Sequence, residues 1–186
     1  MLNAIIVHGY HGSPKRDWIE WLSGELRERG LRVSAKQYPA PNKPKLSKWL
    51  GLLEKEVNSA KGDVILIGHS LGGAAVLRFL ERYKGDKIKA VVLVAAAYEF
   101  RKHAHLHEFT LEPFDWFAIN NTCKKFIVLH STDDDVVPYG RAKRLAEKLN
   151  AQSIITRCCY HFNRKIEPKV LEAIEKAIST LHAKLR

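Results

Sequence analysis

An α/β fold is what this 186-residue sequence predicts, and three observations carry the prediction. Six short apolar runs rich in Val, Ile, Leu and Ala alternate with stretches of helical periodicity. Some of those runs are continuously apolar, Ala90-Val91-Val92-Leu93-Val94 above all, which suits a parallel sheet covered on both faces. No internal repeat or low-complexity linker interrupts the alternation. Residues 1–186 therefore read as one domain, long enough to bury a core without disulfides or metal.

The elements follow in order. Leu2–Val7 is the first expected strand. A helix over about Arg16–Arg29 follows, with Trp18, Leu22 and Leu26 on one face at four-residue spacing; Trp18 and Trp21 read as packing residues. Arg32–Tyr38 is the second strand, and Pro39-Ala40-Pro41-Asn42-Lys43-Pro44 a rigid loop into a helix at Leu46–Ala60. Asp63–Ile67 is a strand, Leu71–Tyr83 a helix and Lys89–Ala95 a strand. The interval from Tyr98 to Cys123 is too long for a simple crossover and carries six aromatic residues, so it reads as a small cap or pocket wall. Lys125–His130 is the fifth strand, with a helix at Pro138–Leu149 whose proline suits the first turn. Ser153–Cys158 and a helix over Glu167–Leu185 complete the pattern.

Composition narrows the function classes. A hydrophobic content of 46% and a charged content of 27% are ordinary for a soluble globular chain. No run approaches the roughly twenty apolar residues of a membrane span. The first residues lack a basic segment and enter a strand at once, so no cleaved leader is expected. Cys123, Cys158 and Cys159 make an odd, partly adjacent set that fits a reducing cytoplasm. The net charge of +11 is spread along helices beside glutamates, as in Arg27-Glu28-Arg29, without interleaved aromatics; no specific nucleic-acid partner is expected. His103, His105 and His107 alternate on one segment without a carboxylate or cysteine partner at matching spacing, so no metal site is expected.

Chemistry concentrates at Gly68-His69-Ser70-Leu71-Gly72. It lies between the strand Asp63–Ile67 and the helix from Leu71, which makes it a G-x-S-x-G nucleophile elbow. A serine on so sharp a turn needs neighbours without a Cβ, and its hydroxyl then stands exposed above the sheet. Serine is a weak nucleophile and needs a base, and the base needs a group to orient it. In chain order the acid comes next. The loop His130-Ser131-Thr132-Asp133-Asp134-Asp135-Val136-Val137 offers three aspartates, among which physical reasoning alone does not choose. His161, before the last helix, stands where the histidine belongs. Oxyanion donors are expected from the backbone N–H of Leu71 and of Tyr10, the latter on the loop after the first strand. His69 reads as a packing residue.

The chain resembles the small, lidless α/β-hydrolases of the retinoblastoma-binding protein 9 and YdeN type. The likeness rests on His8-Gly9-Tyr10 with Ser13-Pro14 and Trp18/Trp21, on the elbow, on Pro113-Phe114-Asp115-Trp116, on Ser131-Thr132-Asp133-Asp134, and on His161-Phe162. It implies an α/β-hydrolase fold in reduced form: a six-stranded, mostly parallel sheet in the order 2-1-3-4-5-6, helices on both faces and only a small cap. It also implies Asp134 as the acid, four residues before Pro138. The expected function is a cytoplasmic serine hydrolase that cleaves a small acyl ester through Ser70, Asp134 and His161, with no cofactor. The alternatives are a protein-interaction module on the same fold, or a peptidase or thioesterase with the same triad; a protein partner cannot be read from the sequence. Phe114, Trp116 and Phe162 are the expected walls of the acyl pocket. Tyr160 replaces a residue that is usually glycine in such proteins, so its backbone is expected to avoid glycine-favoured conformations. Cys158 and Cys159 read as a strand end with a reduced thiol.

Overall fold

The computed structural model describes residues 1–99 and 104–183. Six strands run β1 Leu2–Val7, β2 Arg32–Ala35, β3 Asp63–His69, β4 Ile88–Val94, β5 Phe126–Ser131 and β6 Gln152–Thr156. They form one sheet in the order β2-β1-β3-β4-β5-β6. Every neighbouring pair is parallel, so the sheet is parallel throughout rather than mostly so. The helices are α1 Ile19–Glu28, α2 Leu46–Ser59, α3 Leu71–Leu80, α4 His107–Thr110, α5 Trp116–Thr122, α6 Tyr139–Leu149 and α7 Pro168–Ala183.

Side chains alternate across the strands and fill two cores. Ile5, Leu66 and Leu93 pack on the face covered by α2, α3 and α6. Ile6, Ile67 and Val92 pack on the other face, under α1 and α7. Burial on both sides explains why these strands read as continuous apolar runs rather than as polar-apolar alternation.

Differences from the expected boundaries have local causes. β2 ends at Ala35 because the Tyr38 N–H donates to His8 Nε2 at 3.0 Å, which draws the chain away from the ladder. α1 starts at Ile19 because Asp17 is left-handed at φ +54° and interrupts the turn begun at Arg16. β6 stops before Cys158, whose φ of +60° is incompatible with a strand. As expected, Trp18 is buried and Trp21 packs half-buried against the α1/α7 side of the sheet.

The long connection after β4 is clamped by one cation. Arg78, on α3 and almost fully buried, donates to the carbonyls of Phe109 (3.1 Å), Pro113 (3.3 Å) and Glu112, and pairs with Glu81 at 3.0 Å. Its guanidinium carbon lies 3.7 Å above the Phe114 ring. Such a clamp binds the cap to α3 through bonds that water would otherwise satisfy.

Candidate active site

Ser70 sits between the end of β3 and the first residue of α3 with φ +51° and ψ −119°, a strained conformation for a residue with a Cβ. The surroundings hold it there. Its N–H donates to the Val94 carbonyl at 3.0 Å, and its own carbonyl accepts from Gly73 at 3.0 Å and Ala97 at 3.1 Å. Two glycines of the elbow permit the close approach. A Cβ on Gly68 would lie 2.7 Å from the Gly73 Cα, and one on Gly72 would lie 2.2 Å from the Val7 carbonyl oxygen. Neither position has room for alanine.

Asp134 and His161 meet across the ends of β5 and β6. His161 Nδ1 lies 3.0 and 3.1 Å from the two carboxylate oxygens, so an Nδ1–H donates to Asp134. The same carboxylate accepts from the N–H groups of Val136 (2.9 Å) and Val137 (2.8 Å). Burial alone would raise the Asp134 carboxyl. The hydrogen bond and charge of His161, with those two amides, outweigh it and hold the group below the usual carboxylate range. His161 and Ser70 line one cavity. No hydrogen bond joins them here, a contact that commonly tightens only when substrate is bound.

The loop that carries His161 is held from the acid loop. Asp133 Oδ1 accepts the Ser131 hydroxyl and the Tyr160 N–H (3.1 Å), while the Cys159 N–H donates to Ser131 Oγ at 3.2 Å. The Ser131 hydrogen bond, ahead of the other contacts, keeps the Asp133 carboxyl below its ordinary value. Asp133 is therefore more than a solvated neighbour of Asp134. The expectation for Tyr160 is overturned: its φ is +46°, inside the left-handed region, with Cys158 at +60° and Phe162 at +56° flanking it. The amide bonds to Ser131 and Asp133 offset that cost, a compensation that the loop's own sequence does not reveal. Of the adjacent cysteines, Cys158 is exposed and Cys159 buried.

Buried histidines set two further backbones. His8 Nε2 accepts the Tyr38 N–H, which leaves Nδ1–H to donate to the Gly9 carbonyl at 2.8 Å. The Gly12 N–H donates to the same oxygen at 3.0 Å. In a trans peptide the N–H points away from the carbonyl, so these donors also fix the direction of the Tyr10 N–H. His69 donates Nε2–H to the His161 carbonyl at 3.0 Å, beneath the Trp18 indole. The expected packing role of His69 thus includes a grip on the histidine loop.

The cavity at Ser70 has a volume of about 400 Å³. Tyr10, Leu71, Ala97, Leu106 and Val136 give it an apolar side, and Arg16, Asp17 and Asn163 a polar one. Leu106, from the connection after β4, makes part of that interval the pocket wall that the sequence predicts. Phe114, Trp116 and Phe162 are not among the lining residues, and their assignment as pocket walls is corrected. Phe114 and Trp116 line a neighbouring cavity with Tyr98 and Lys148, because the Arg78 clamp turns them towards α3 and α6. Phe162 is fully buried in the core under α1 and α7, where it anchors the histidine loop. Nothing in the sequence distinguishes an anchoring phenylalanine beside His161 from a lining one. His103 and Phe100 lie outside the described residues; among the described residues no group of three His, Cys, Asp or Glu side chains could hold a metal ion.

The buried histidines make stability depend on pH. Burial, followed by the charge of His161, lowers His69 to about 3, and burial also lowers His8 and His130. Between those lowered values and the ordinary value near 6.5, the unfolded chain binds more protons than the folded one. Stability therefore falls as the pH drops below about 6.5 and goes on falling towards 3; for His69 alone the interval is worth roughly 5 kcal/mol. The melting temperature should fall steadily below pH 6.5, and His69→Gln, which keeps an N–H donor, should flatten that slope. A melting temperature level from pH 7 to pH 4.5 would contradict the neutral, buried state.

Comparison with known proteins shows the family and the fold. The family model of serine hydrolases (Ser_hydrolase) matches residues 4–179. YdeN of Bacillus subtilis (strain 168), named a hydrolase, is 34% identical over 148 residues, covering 78% of each chain. The crystal structure of the ydeN gene product superposes with a TM-score of 0.88 over 96% of this chain and 100% of that one. The rat (Rattus norvegicus) serine hydrolase RBBP9 is 29% identical over 154 residues, 80% of this chain and 81% of its own. Est1E of Butyrivibrio proteoclasticus, solved with ferulic acid bound, shares the fold at a TM-score of 0.79 and 18% identity, over 98% of this chain and 90% of that one. Among the described residues no helix is long and apolar enough to cross a membrane.

Proposed function

This chain belongs to the serine hydrolase family, and from that premise we propose that it is a carboxylesterase-like enzyme acting on a small acyl ester through Ser70, His161 and Asp134. The observation that carries the proposal is the orientation of His161. Its Nδ1–H is committed to Asp134, which leaves Nε2 as the basic nitrogen of a ring lining the same cavity as Ser70.

In the proposed reaction His161 Nε2 takes the Ser70 proton as Oγ adds to the acyl carbonyl. The tetrahedral oxyanion is received by the backbone N–H groups of Leu71 and Tyr10. Leu71 opens α3, where the helix itself supplies no acceptor for its N–H. As the carbonyl re-forms, the imidazolium returns its proton to the departing alkoxide. Water, deprotonated in turn by His161, then releases the acid and regenerates Ser70. Asp134 stays ionised throughout and stabilises the imidazolium. The reaction drawn in this way requires no metal or organic cofactor. The apolar side of the cavity suits a short acyl chain, and the three free thiols suit a reducing, cytoplasmic setting.

The test combines labelling with turnover. A fluorophosphonate should modify Ser70, located by peptide mass spectrometry, and 4-nitrophenyl esters of two to eight acyl carbons should be hydrolysed with a preference for the shorter chains. Absence of both labelling and turnover would remove the enzymatic reading and favour an interaction module.

A further inference from the structure

Asp17 is a carboxylate in the cavity for which the proposed reaction has no use. It lines the same space as Ser70 and His161, and its side chain is only 17% exposed. No donor among the described residues hydrogen-bonds to it. Arg16, its ion-pair partner, comes no closer than 3.9 Å, is 61% exposed, and gives its own Nη1–H to the His11 carbonyl at 3.1 Å. Carboxylates so far withdrawn from water ordinarily take several hydrogen bonds from the protein. Asp17 is moreover held left-handed at φ +54°, the turn that brings the chain from Arg16 into the buried Trp18. Burial pushes its carboxyl up, while the charges of Arg16 and His161 pull it down, as a bound cation would.

We propose that Asp17 is a specificity residue that receives an ammonium group carried by the leaving group of the substrate. The inference rests on the serine hydrolase reading above and deepens it. The leaving-group side is indicated by His161: its Nε2 hands the proton to the departing atom, and Asp17, which feels the charge of that histidine, lines the same cavity. An ammonium N–H would supply the donor that the carboxylate lacks. The acyl part would lie against Leu71, Leu106 and Val136. The formal net charge of +11 opposes a cation at long range, but salt screens that field beyond about 8 Å, leaving the nearest charges to decide.

A pair of esters of one shape isolates the effect. 2-(Dimethylamino)ethyl butanoate is protonated at pH 7 and cannot transfer its acyl group to nitrogen; 3-methylbutyl butanoate has the same outline without the charge. Acid release in a pH-stat gives kcat/KM for each, and their ratio cancels any general loss of activity. The wild type should favour the charged ester by roughly tenfold or more, the usual worth of a hydrogen bond to a charged group in a withdrawn site. Asp17→Asn, a side chain that tolerates left-handed backbone, should bring the ratio near one. Arg16→Gln, which removes the competing cation, should raise it. A wild-type ratio near one would overturn the proposal even if both esters are hydrolysed. An equal loss for both esters in Asp17→Asn, with a shifted pH profile, would also overturn it, because Asp17 would then be acting on His161. Hydrolysis of neither ester while Ser70 still reacts with fluorophosphonate would reject this substrate class alone. Hydrolysis of neither with Ser70 unreactive would reject the hydrolase reading together with the proposal.

Discussion

The Ser70→Ala protein is expected to fold as the wild type does, to resist fluorophosphonate entirely, and to lose ester turnover by roughly 10⁶-fold. No described residue hydrogen-bonds to the Ser70 side chain, so its removal orphans no partner. The strained backbone is held by the bonds of its N–H to Val94 and of its carbonyl to Gly73 and Ala97, all independent of the hydroxyl. Alanine accepts φ +51° no less readily than serine, since both carry a Cβ. The melting temperature should therefore stay close to that of the wild type while the chemistry disappears. Turnover retained within tenfold would mean that another group attacks the ester, and covalent labelling elsewhere would identify it.

The strands and the elbow were legible because their signals are local and repeated, whereas the sheet order came only with the family resemblance. Continuous apolar runs such as Ala90–Val94 and Asp63–Ile67 have few meanings besides buried parallel strands, and Gly68 and Gly72 mark a turn that excludes Cβ atoms. The acid needed more than spacing, since Asp133, Asp134 and Asp135 differ in sequence by nothing that chemistry can use. Their separation is tertiary: Asp134 turns to His161 and the amides of Val136 and Val137, and Asp133 turns to Ser131 and Tyr160. The pocket walls were the least legible. Phe114 and Trp116 carry the composition of a wall, but the side from which they are held depends on Arg78, distant in sequence and buried for that purpose. Asp17 was hidden by its neighbour, because Trp18 reads as the start of an amphipathic helix while the left-handed residue before it leaves no mark in the sequence.

The three aspartates should separate by orders of magnitude in kcat. In Asp134→Asn the amide oxygen can still accept from Val136 and Val137, so the loop keeps its shape. The amide NH₂ then faces His161 Nδ1 and forces that nitrogen to be the acceptor. Nε2 consequently carries the proton and cannot act as base, and the imidazolium loses its countercharge. A fall of roughly 10⁴-fold in kcat is expected, with KM little changed. Asp135, exposed and outside these bonds, should give a variant within about twofold of wild type, as surface changes usually do. Asp133→Asn should lie between, at roughly ten- to a hundredfold. Its amide oxygen can still accept both bonds, but a neutral oxygen holds the left-handed Tyr160 amide and the Ser131 hydroxyl less firmly, and His161 rides on that loop. Raising the pH separates the two kinds of loss. The Asp134 variant should recover part of its rate, since hydroxide replaces the missing base, whereas the Asp133 variant should keep the wild-type profile at a lower level. If Asp133→Asn proved the severe change and Asp134→Asn the mild one, the carboxylate paired with His161 during turnover would be Asp133, and the acid loop would have to rearrange on substrate binding.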